Sequence, residues 1–210
     1  MHVSHPIRGV IPSLDAPVIE VLAKTTRTLT GREVARLAGT GSVRGVRLVL
    51  ARLVVQGLVI AEERGGAILY QANREHLAWP ALERLARLRV ALFEHLVDEI
   101  ARWPIAPIHA SVFGSAARGD GDASSDIDLL LVAPRDADAE GWTAQIDDLR
   151  LRVERWTGNH CQVFDIDEAR LREHLDARDP LVDAWLRDGI VVAGDPLKSL
   201  LVGLAAQRPT

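Results

Sequence analysis

The sequence predicts an α+β protein in which two small domains, the second built on a mixed sheet, are joined by a long helix. Two observations predict this class: helix-type and strand-type apolar spacings alternate in both parts of the chain, and one long helical stripe separates them. With 210 residues, of which 48% are hydrophobic, the chain can supply a core to each domain. We expect the domains at residues 1–78 and 104–210, with the linking helix at 79–103.

The first domain opens with helical apolar spacing. Residues 17–25 carry valine and leucine at three- and four-residue steps. Thr30 is of the type that caps a helix, so a second helix is predicted through Leu37. Ser42 is placed to cap a third helix, which Gly57 ends.

A hairpin is predicted after these helices. Two strand-type runs, Leu58–Glu62 and Ala67–Gln71, flank the turn-forming Arg64-Gly65-Gly66. Three helices followed by a hairpin is the order of elements in a winged helix. The segment Thr30–Asn73 resembles the winged helix-turn-helix DNA-binding domains of bacterial regulators, with Ser42–Gln56 in the place of the recognition helix.

Charge supports a polyanionic partner for this domain. Residues 1–78 hold ten Lys/Arg against six Asp/Glu, whereas residues 79–210 hold fifteen against twenty-three, within a net charge of −4. The resemblance implies contacts with duplex DNA at the start of the recognition helix and at the turn of the hairpin. The residues expected there are Ser42, Arg44, Arg47 and Arg64. The alternative is a winged helix that serves only protein contact or dimerisation.

One long helix is predicted to link the domains. It extends from Pro80, which suits a first helical turn, to Arg102, before Trp103-Pro104 ends it. Its apolar stripe consists of Leu85, Leu88, Leu92, Leu96 and Ile100. We interpret it as a packing element.

The second domain alternates strands with helices. Strands are predicted at Ile108–Phe113, Asp126–Val132 and Cys161–Ile166. Helices are predicted at Ser115–Arg118, 140–156, 167–177 and 180–188.

A phosphate-binding turn is predicted where the first of these strands ends. In the run Gly114–Asp120, a strand leads through small residues into a helix start, which leaves backbone N–H groups free for phosphate oxygens. Gly114 allows close approach and Ser115 adds a hydroxyl donor. Arg118 either pairs with phosphate or anchors the turn to a nearby carboxylate.

Two carboxylates follow at the head of an apolar strand. Asp126 and Asp128 share one face, because side chains alternate along a strand. They are about 6.6 Å apart along the strand, within reach of metal ions about 3.5–4 Å apart. Hard oxygen ligands favour Mg²⁺ or Mn²⁺. Ser125, directly before the pair, is a further candidate contact for the nucleotide.

These residues carry a second resemblance. Gly114-Ser115, ten residues, then Asp126-x-Asp128 and an apolar strand resembles the signature of the polymerase-β-like nucleotidyltransferase superfamily, especially its minimal members. The likeness covers about half of the chain and extends through the strand at 161–166 to the late segment WLRDGIVVAGD. It implies that the Gly-Ser turn holds an NTP, that the two acids bind divalent ions, and that a third acid on an adjacent strand completes the site.

The sequence departs from that pattern at the third acid. The expected position falls on Gln162, and an amide is a poor metal ligand and no base. Asp165 is the nearest acid on this strand and is kept as a third catalytic candidate beside Asp126 and Asp128. It has the opposite parity to Gln162, so it reaches the same metal only if a bulge shifts the register. His160 is an alternative base.

Two functions remain open. The first is a DNA-binding protein whose nucleotidyltransferase domain transfers NMP to a hydroxyl. Its expected setting is that of an antitoxin or autoregulator. The expected protein partners are a cognate toxin and a second copy of the chain, as a homodimer. The second is a non-catalytic transcription regulator that senses nucleotide or binds a partner. No run suits a membrane span or a signal peptide, and the lone Cys161 forms no internal disulfide, so a cytoplasmic location is expected.

Overall fold

The computed structural model describes residues 1–206 and divides the chain into two compact units. The first unit contains Ser4–Arg89 and His2. The second begins at Val90 and includes Met1 and Val3. No helix in the described part of the chain has both the length and the apolar character that crossing a membrane requires.

The first unit is mainly helical. Its helices are α1 (Pro6–Val10), α2 (Asp15–Ala23), α3 (Gly31–Ala38), α4 (Val43–Val55) and α5 (Trp79–Ala86). Its strands are β1 (Leu29–Thr30), β2 (Val59–Arg64) and β3 (Ala67–Ala72), which form an antiparallel sheet in the order β1-β3-β2. The three helices and the hairpin expected from the sequence are confirmed as elements, and α1 was not expected.

Local hydrogen bonds explain where α3 and α4 begin. The Thr30 hydroxyl accepts from the backbone N–H of Glu33 at 3.2 Å, and the Glu33 carboxylate accepts from the Thr30 N–H at 2.8 Å, which forms a capping box. The Ser42 hydroxyl accepts from the N–H of Gly45 at 3.0 Å. Both predicted caps are confirmed.

The single helix predicted from Pro80 to Arg102 is wrong. The structure has α5 up to Ala86 and a separate α6 (Leu88–Ile100), with Arg87 outside helical geometry at φ −105° and ψ 8°. No glycine or proline marks this break, and the apolar stripe continues across it, so the sequence carries no stop signal. The stripe nevertheless serves two cores. Trp79, Leu82 and Leu85 belong to the core of the first unit, whereas Leu92, Leu96 and Ile100 belong to that of the second.

The second unit is built on a mixed four-stranded sheet. Its strands are β4 (His109–Phe113), β5 (Ile127–Ala133), β6 (Cys161–Asp167) and β7 (Ile190–Gly194). The remaining helices are α7 (Gly114–Arg118), α8 (Ala139–Thr157), α9 (Glu168–Asp176), α10 (Pro180–Asp188) and α11 (Leu197–Ala206). The strand order is β6-β5-β4-β7, in which β4 is antiparallel to β5 and β7, and β5 is parallel to β6. The predicted mixed sheet is confirmed, whereas β7 and α11 were not expected from the sequence.

Helices cover both faces of this sheet. Alternate residues of β5 face opposite ways, so Ile127, Leu129 and Leu131 pack with α6 and α8. Leu130 and Val132 pack with α9, α10 and α11. Because both faces are buried, the side chains of the strands reach solvent mainly at the strand ends.

Candidate functional site

Strand register brings three chain segments together at one end of the sheet. Phe113, the last residue of β4, pairs with Asp128 of β5, and Asp128 pairs with Gln162 of β6. Gly114 follows Phe113 directly and begins α7. The end of β4 and the starts of β5 and β6 therefore meet at one edge.

Gly114 lies against the Asp128 carboxylate. Its φ is +67°, in the left-handed region that glycine adopts without strain. A Cβ atom built on Gly114 would be only 2.3 Å from Asp128 Oδ2. The start of α7 also has no side-chain cap. The backbone of this turn thus approaches the carboxylate as closely as packing allows.

The two carboxylates differ in their surroundings. Asp126 is exposed and lies just before β5, whereas Asp128 is half-buried within it. Burial and then the negative charge of Asp126 raise the pKa of Asp128 above its usual range, while Arg118 opposes the shift. The pair repel one another, and a cation between them would relieve that repulsion.

Ser115 is enclosed by the loop that follows α7. Its carbonyl oxygen accepts from the N–H groups of Gly119, Asp120 and Gly121 at 2.9, 3.2 and 3.3 Å. A Cβ atom built on Gly121 would be 2.9 Å from Ser115 Oγ. The loop therefore folds tightly over the Ser115 side chain.

Arg118 anchors this turn to α10. Its Nε donates to Asp120 Oδ2 at 3.0 Å and its Nη1 donates to Asp188 Oδ2 at 2.9 Å. Arg187 and Arg118 together lower the pKa of Asp188. Of the two roles that the sequence left open for Arg118, the structure has the contact with carboxylates.

Ser125 is engaged within its own loop. Its hydroxyl accepts from the N–H of Asp122 at 2.9 Å and donates to Asp122 Oδ1 at 3.1 Å. The Ser125 carbonyl accepts from Asn159, a residue that the sequence reasoning missed. These contacts shape the loop before Asp126, and the contact of Ser125 with a nucleotide stays a prediction.

Asp165 is not brought to this edge. It pairs with Leu131, on the face of the sheet opposite to Asp128, and its Oδ1 accepts from Trp142 Nε1 at 2.8 Å. No bulge is present between β5 and β6, so the register puts Gln162 beside Asp128 instead. Asp165 lines a groove of about 1000 Å³ at the other end of these strands. We therefore leave Asp165 out of the proposed site.

In the first unit, α3 and α4 present an exposed basic surface. Four arginine side chains there are exposed and make no ion pair with any described residue. They are Arg32, Arg36, Arg44 and Arg47. The stem of Arg47 also lies over Gly31, where a Cβ atom would be 3.2 Å from Arg47 Cγ.

The other two residues expected at DNA have protein partners. Ser42 uses its hydroxyl to cap α4. Arg64, at the hairpin turn, donates from Nε to Glu62 Oε1 at 2.8 Å. The hairpin also carries Glu63, so the positive charge is concentrated on the helices.

Comparison with known proteins finds a family match within the second unit. Residues 94–192 match the family model described as "Nucleotidyltransferase domain". The crystal structure of a toxin–antitoxin with AMP-PNP is similar at 15% identity, with 54% of this chain and 84% of that chain covered and a TM-score of 0.37. No curated protein matches the chain.

Two further solved structures are similar to part of the chain. One is tri-AMPylated Shewanella oneidensis HEPN toxin in complex with MNT antitoxin, at 14% identity, 56% and 84% coverage and a TM-score of 0.34. The other is a putative nucleotidyltransferase from Sulfolobus solfataricus, at 21% identity, 50% and 82% coverage and a TM-score of 0.28.

Replacing Gly114 should cost more than backbone strain alone. Gly158 has a similar φ of +72° but no atom closer than 3.9 Å to a built Cβ. We expect Gly158→Ala to lose about 1–2 kcal/mol from left-handed strain. We expect Gly114→Ala to lose a further 1–3 kcal/mol, roughly, from collision with Asp128. Urea unfolding followed by tryptophan fluorescence measures both. Equal losses would show that the Asp128 side chain moves away freely.

Proposed function

We propose that this chain is a DNA-binding protein whose nucleotidyltransferase domain binds an NTP with Mg²⁺ or Mn²⁺ and transfers NMP to a hydroxyl acceptor. The observation that carries the proposal is the contact between the Gly114 backbone and the Asp128 carboxylate. A cation held by that carboxylate lies next to the turn whose N–H groups suit phosphate. In this proposal the cation and the triphosphate lie next to one another, between the Asp128 carboxylate and the turn at Gly114.

The residues present fit a divalent cation that arrives with its nucleotide. Asp126 and Asp128 are hard oxygen donors. The pKa of Asp128 is raised first by its burial and then by the negative charge of Asp126, and a bound cation would offset both effects. Within residues 1–206, no group of three or more His, Cys, Asp or Glu side chains is arranged to hold a metal. Mg²⁺ commonly uses one or two carboxylates and completes its shell with phosphates and water. When bound, the cation would neutralise charge on the transferred phosphoryl group.

The chain's own residues have separate tasks in this proposal. The turn at Gly114 and Ser115 orients the triphosphate, and Asp126 and Asp128 hold the cation. Arg118 acts through the fold: its bonds to Asp120 and Asp188 fix the turn against α10.

We extend the proposal to DNA binding in the first unit. The order of helices and hairpin supports a winged helix, and the unpaired arginines of α3 and α4 support a polyanionic partner. The likeness of the Gly-Ser and Asp-x-Asp pattern to minimal nucleotidyltransferases of toxin–antitoxin pairs supports an antitoxin or autoregulator in the cytoplasm. A cognate toxin and a second copy of the chain are the protein partners that we propose.

One observation favours a second function. Gln162 pairs with Asp128 and is the neighbour where a third acid would complete the site. An amide neither binds a divalent cation well nor removes a proton. The second candidate is therefore a regulator that binds nucleotide without transferring it.

Calorimetry tests the proposed site. We expect wild type to bind ATP with Mg²⁺, and Asp126→Ala/Asp128→Ala to lose that binding because the cation has no ligand. Asp147→Ala/Asp148→Ala removes the same charge from the exposed surface of α8 and should bind like wild type. Equal binding by all three proteins would place the nucleotide elsewhere.

Substitution of Gln162 separates the two functions. We expect weak transfer from labelled NTP to components of a cell extract by wild type. Gln162→Asp should increase it by about a hundredfold, because a positioned base contributes that order of rate. The same change combined with Asp126→Ala should abolish transfer. Strong turnover by wild type would mean that another group supplies the base, and no transfer by any protein favours the nucleotide-binding regulator.

Gel shifts at two salt concentrations test DNA binding. Affinity of the full chain for duplex DNA should fall steeply with salt, because neutralised phosphates release counterions. Arg44→Ala and Arg47→Ala should each flatten the salt dependence by about one unit of log–log slope. Arg64→Ala should have a smaller effect, since Arg64 already pairs with Glu62.

The control for these variants is Arg27→Ala. Arg27 is an exposed arginine of the same unit whose charge is paired with Glu33 at 3.1 Å. It should leave DNA binding unchanged. If wild type gives no salt-sensitive shift, the first unit is a protein-contact module.

A further inference from the structure

Asn159 is a buried amide at the edge of the candidate site. It lies in the turn between α8 and β6, with 3% of its surface exposed. Its Nδ2 donates to the carbonyl oxygens of Ser125 at 2.9 Å and Ala123 at 3.3 Å. Its Oδ1 accepts from the Met1 nitrogen at 2.6 Å. Two acceptors on one side and a donor on the other fix the orientation of the amide.

The bonds from Asn159 Nδ2 hold the loop that leads directly into Asp126. Asp126 precedes Ile127, the first residue of β5 that is paired with β6. On one side of Asp126, the Ser125 carbonyl is bound by the Asn159 side chain. On the other side, the Ile127 N–H donates to the His160 carbonyl at 2.9 Å. The exposed carboxylate is thus held between two bonds to consecutive residues of the neighbouring turn.

The Asn159 side chain is not needed to end α8. Gly158 caps that helix in the left-handed conformation, and its N–H donates to the Glu154 carbonyl at 2.7 Å. The backbone N–H of Asn159 donates to the Thr157 hydroxyl at 3.0 Å. The Nδ2 group of Asn159 therefore donates only to carbonyl oxygens of the loop at Ala123–Ser125.

We infer that Asn159 is a positioning residue: by binding the Ala123 and Ser125 carbonyls, it holds Asp126 where it meets the cation together with Asp128. The inference rests on the proposed function, because it assigns Asn159 a part in that same site. Groups that orient a metal ligand commonly change metal affinity by about 10–100-fold when removed. Loss of the amide should therefore act on cation binding as well as on stability.

Variants of the full chain test this role. Asn159→Ala removes the amide, and Asn159→Asp keeps its shape but replaces the donor with oxygen. The matched control is Gln145→Ala, which removes an amide that bonds the Ile105 N–H and carbonyl, each at 3.0 Å, before the start of β4. Calorimetry with Mn²⁺ and ATP measures binding, thermal melting measures stability, and hydrogen exchange of residues 122–126 in metal-free protein measures the loop.

We expect both Asn159 variants to bind Mn²⁺ with ATP at least about tenfold more weakly than wild type, with faster exchange at 122–126. Gln145→Ala should lose stability but keep wild-type binding and loop exchange. Wild-type affinity in Asn159→Asp, which preserves packing, would overturn the inference and leave the proposed function intact. Failure of wild type itself to bind would overturn the proposed function and this inference together.

Discussion

The register of β4, β5 and β6 determines what the second unit can do. Phe113, Asp128 and Gln162 lie side by side across three strands, so the residue after Phe113 must begin its turn against a carboxylate. If β5 shifted by one residue against β4 and β6, the Asp128 side chain would turn to the opposite face of the sheet. An apolar neighbour would then take its position beside the turn. The demand for glycine at position 114, the half-burial of Asp128 and the amide beside it all follow from this alignment.

The candidate site keeps two carboxylates close together although their negative charges repel. Two like charges lie next to one another, and the pKa of Asp128 is raised by its burial and by Asp126. The fold fixes the segments around them from a distance: Arg118 ties the glycine turn to Asp188, and Asn159 ties the loop before Asp126 to the start of β6. Carboxylates held together in this way are common where a ligand completes the electrostatics.

Local signals predicted more of this molecule than distant ones did. Thr30 and Ser42 mark helix starts because their hydroxyls bind N–H groups only three residues away. The helix break at Arg87 has no such signal, and it falls where the apolar stripe passes from one core to the other. Asp188, the second partner of Arg118, is 70 residues away, and the Asn159 side chain donates to carbonyls 34 and 36 residues earlier. Pairings at that separation exist only once the sheet has formed.

The most direct test of the central claim is a crystal structure with Mn²⁺ and a non-hydrolysable NTP, with the metal located by anomalous scattering. The account predicts Mn²⁺ bound by the Asp126 and Asp128 carboxylates, with the triphosphate on the backbone of Gly114 and Ser115. Metal and nucleotide bound elsewhere would contradict it, for example in the groove at the other end of β5 and β6 that Arg135 lines.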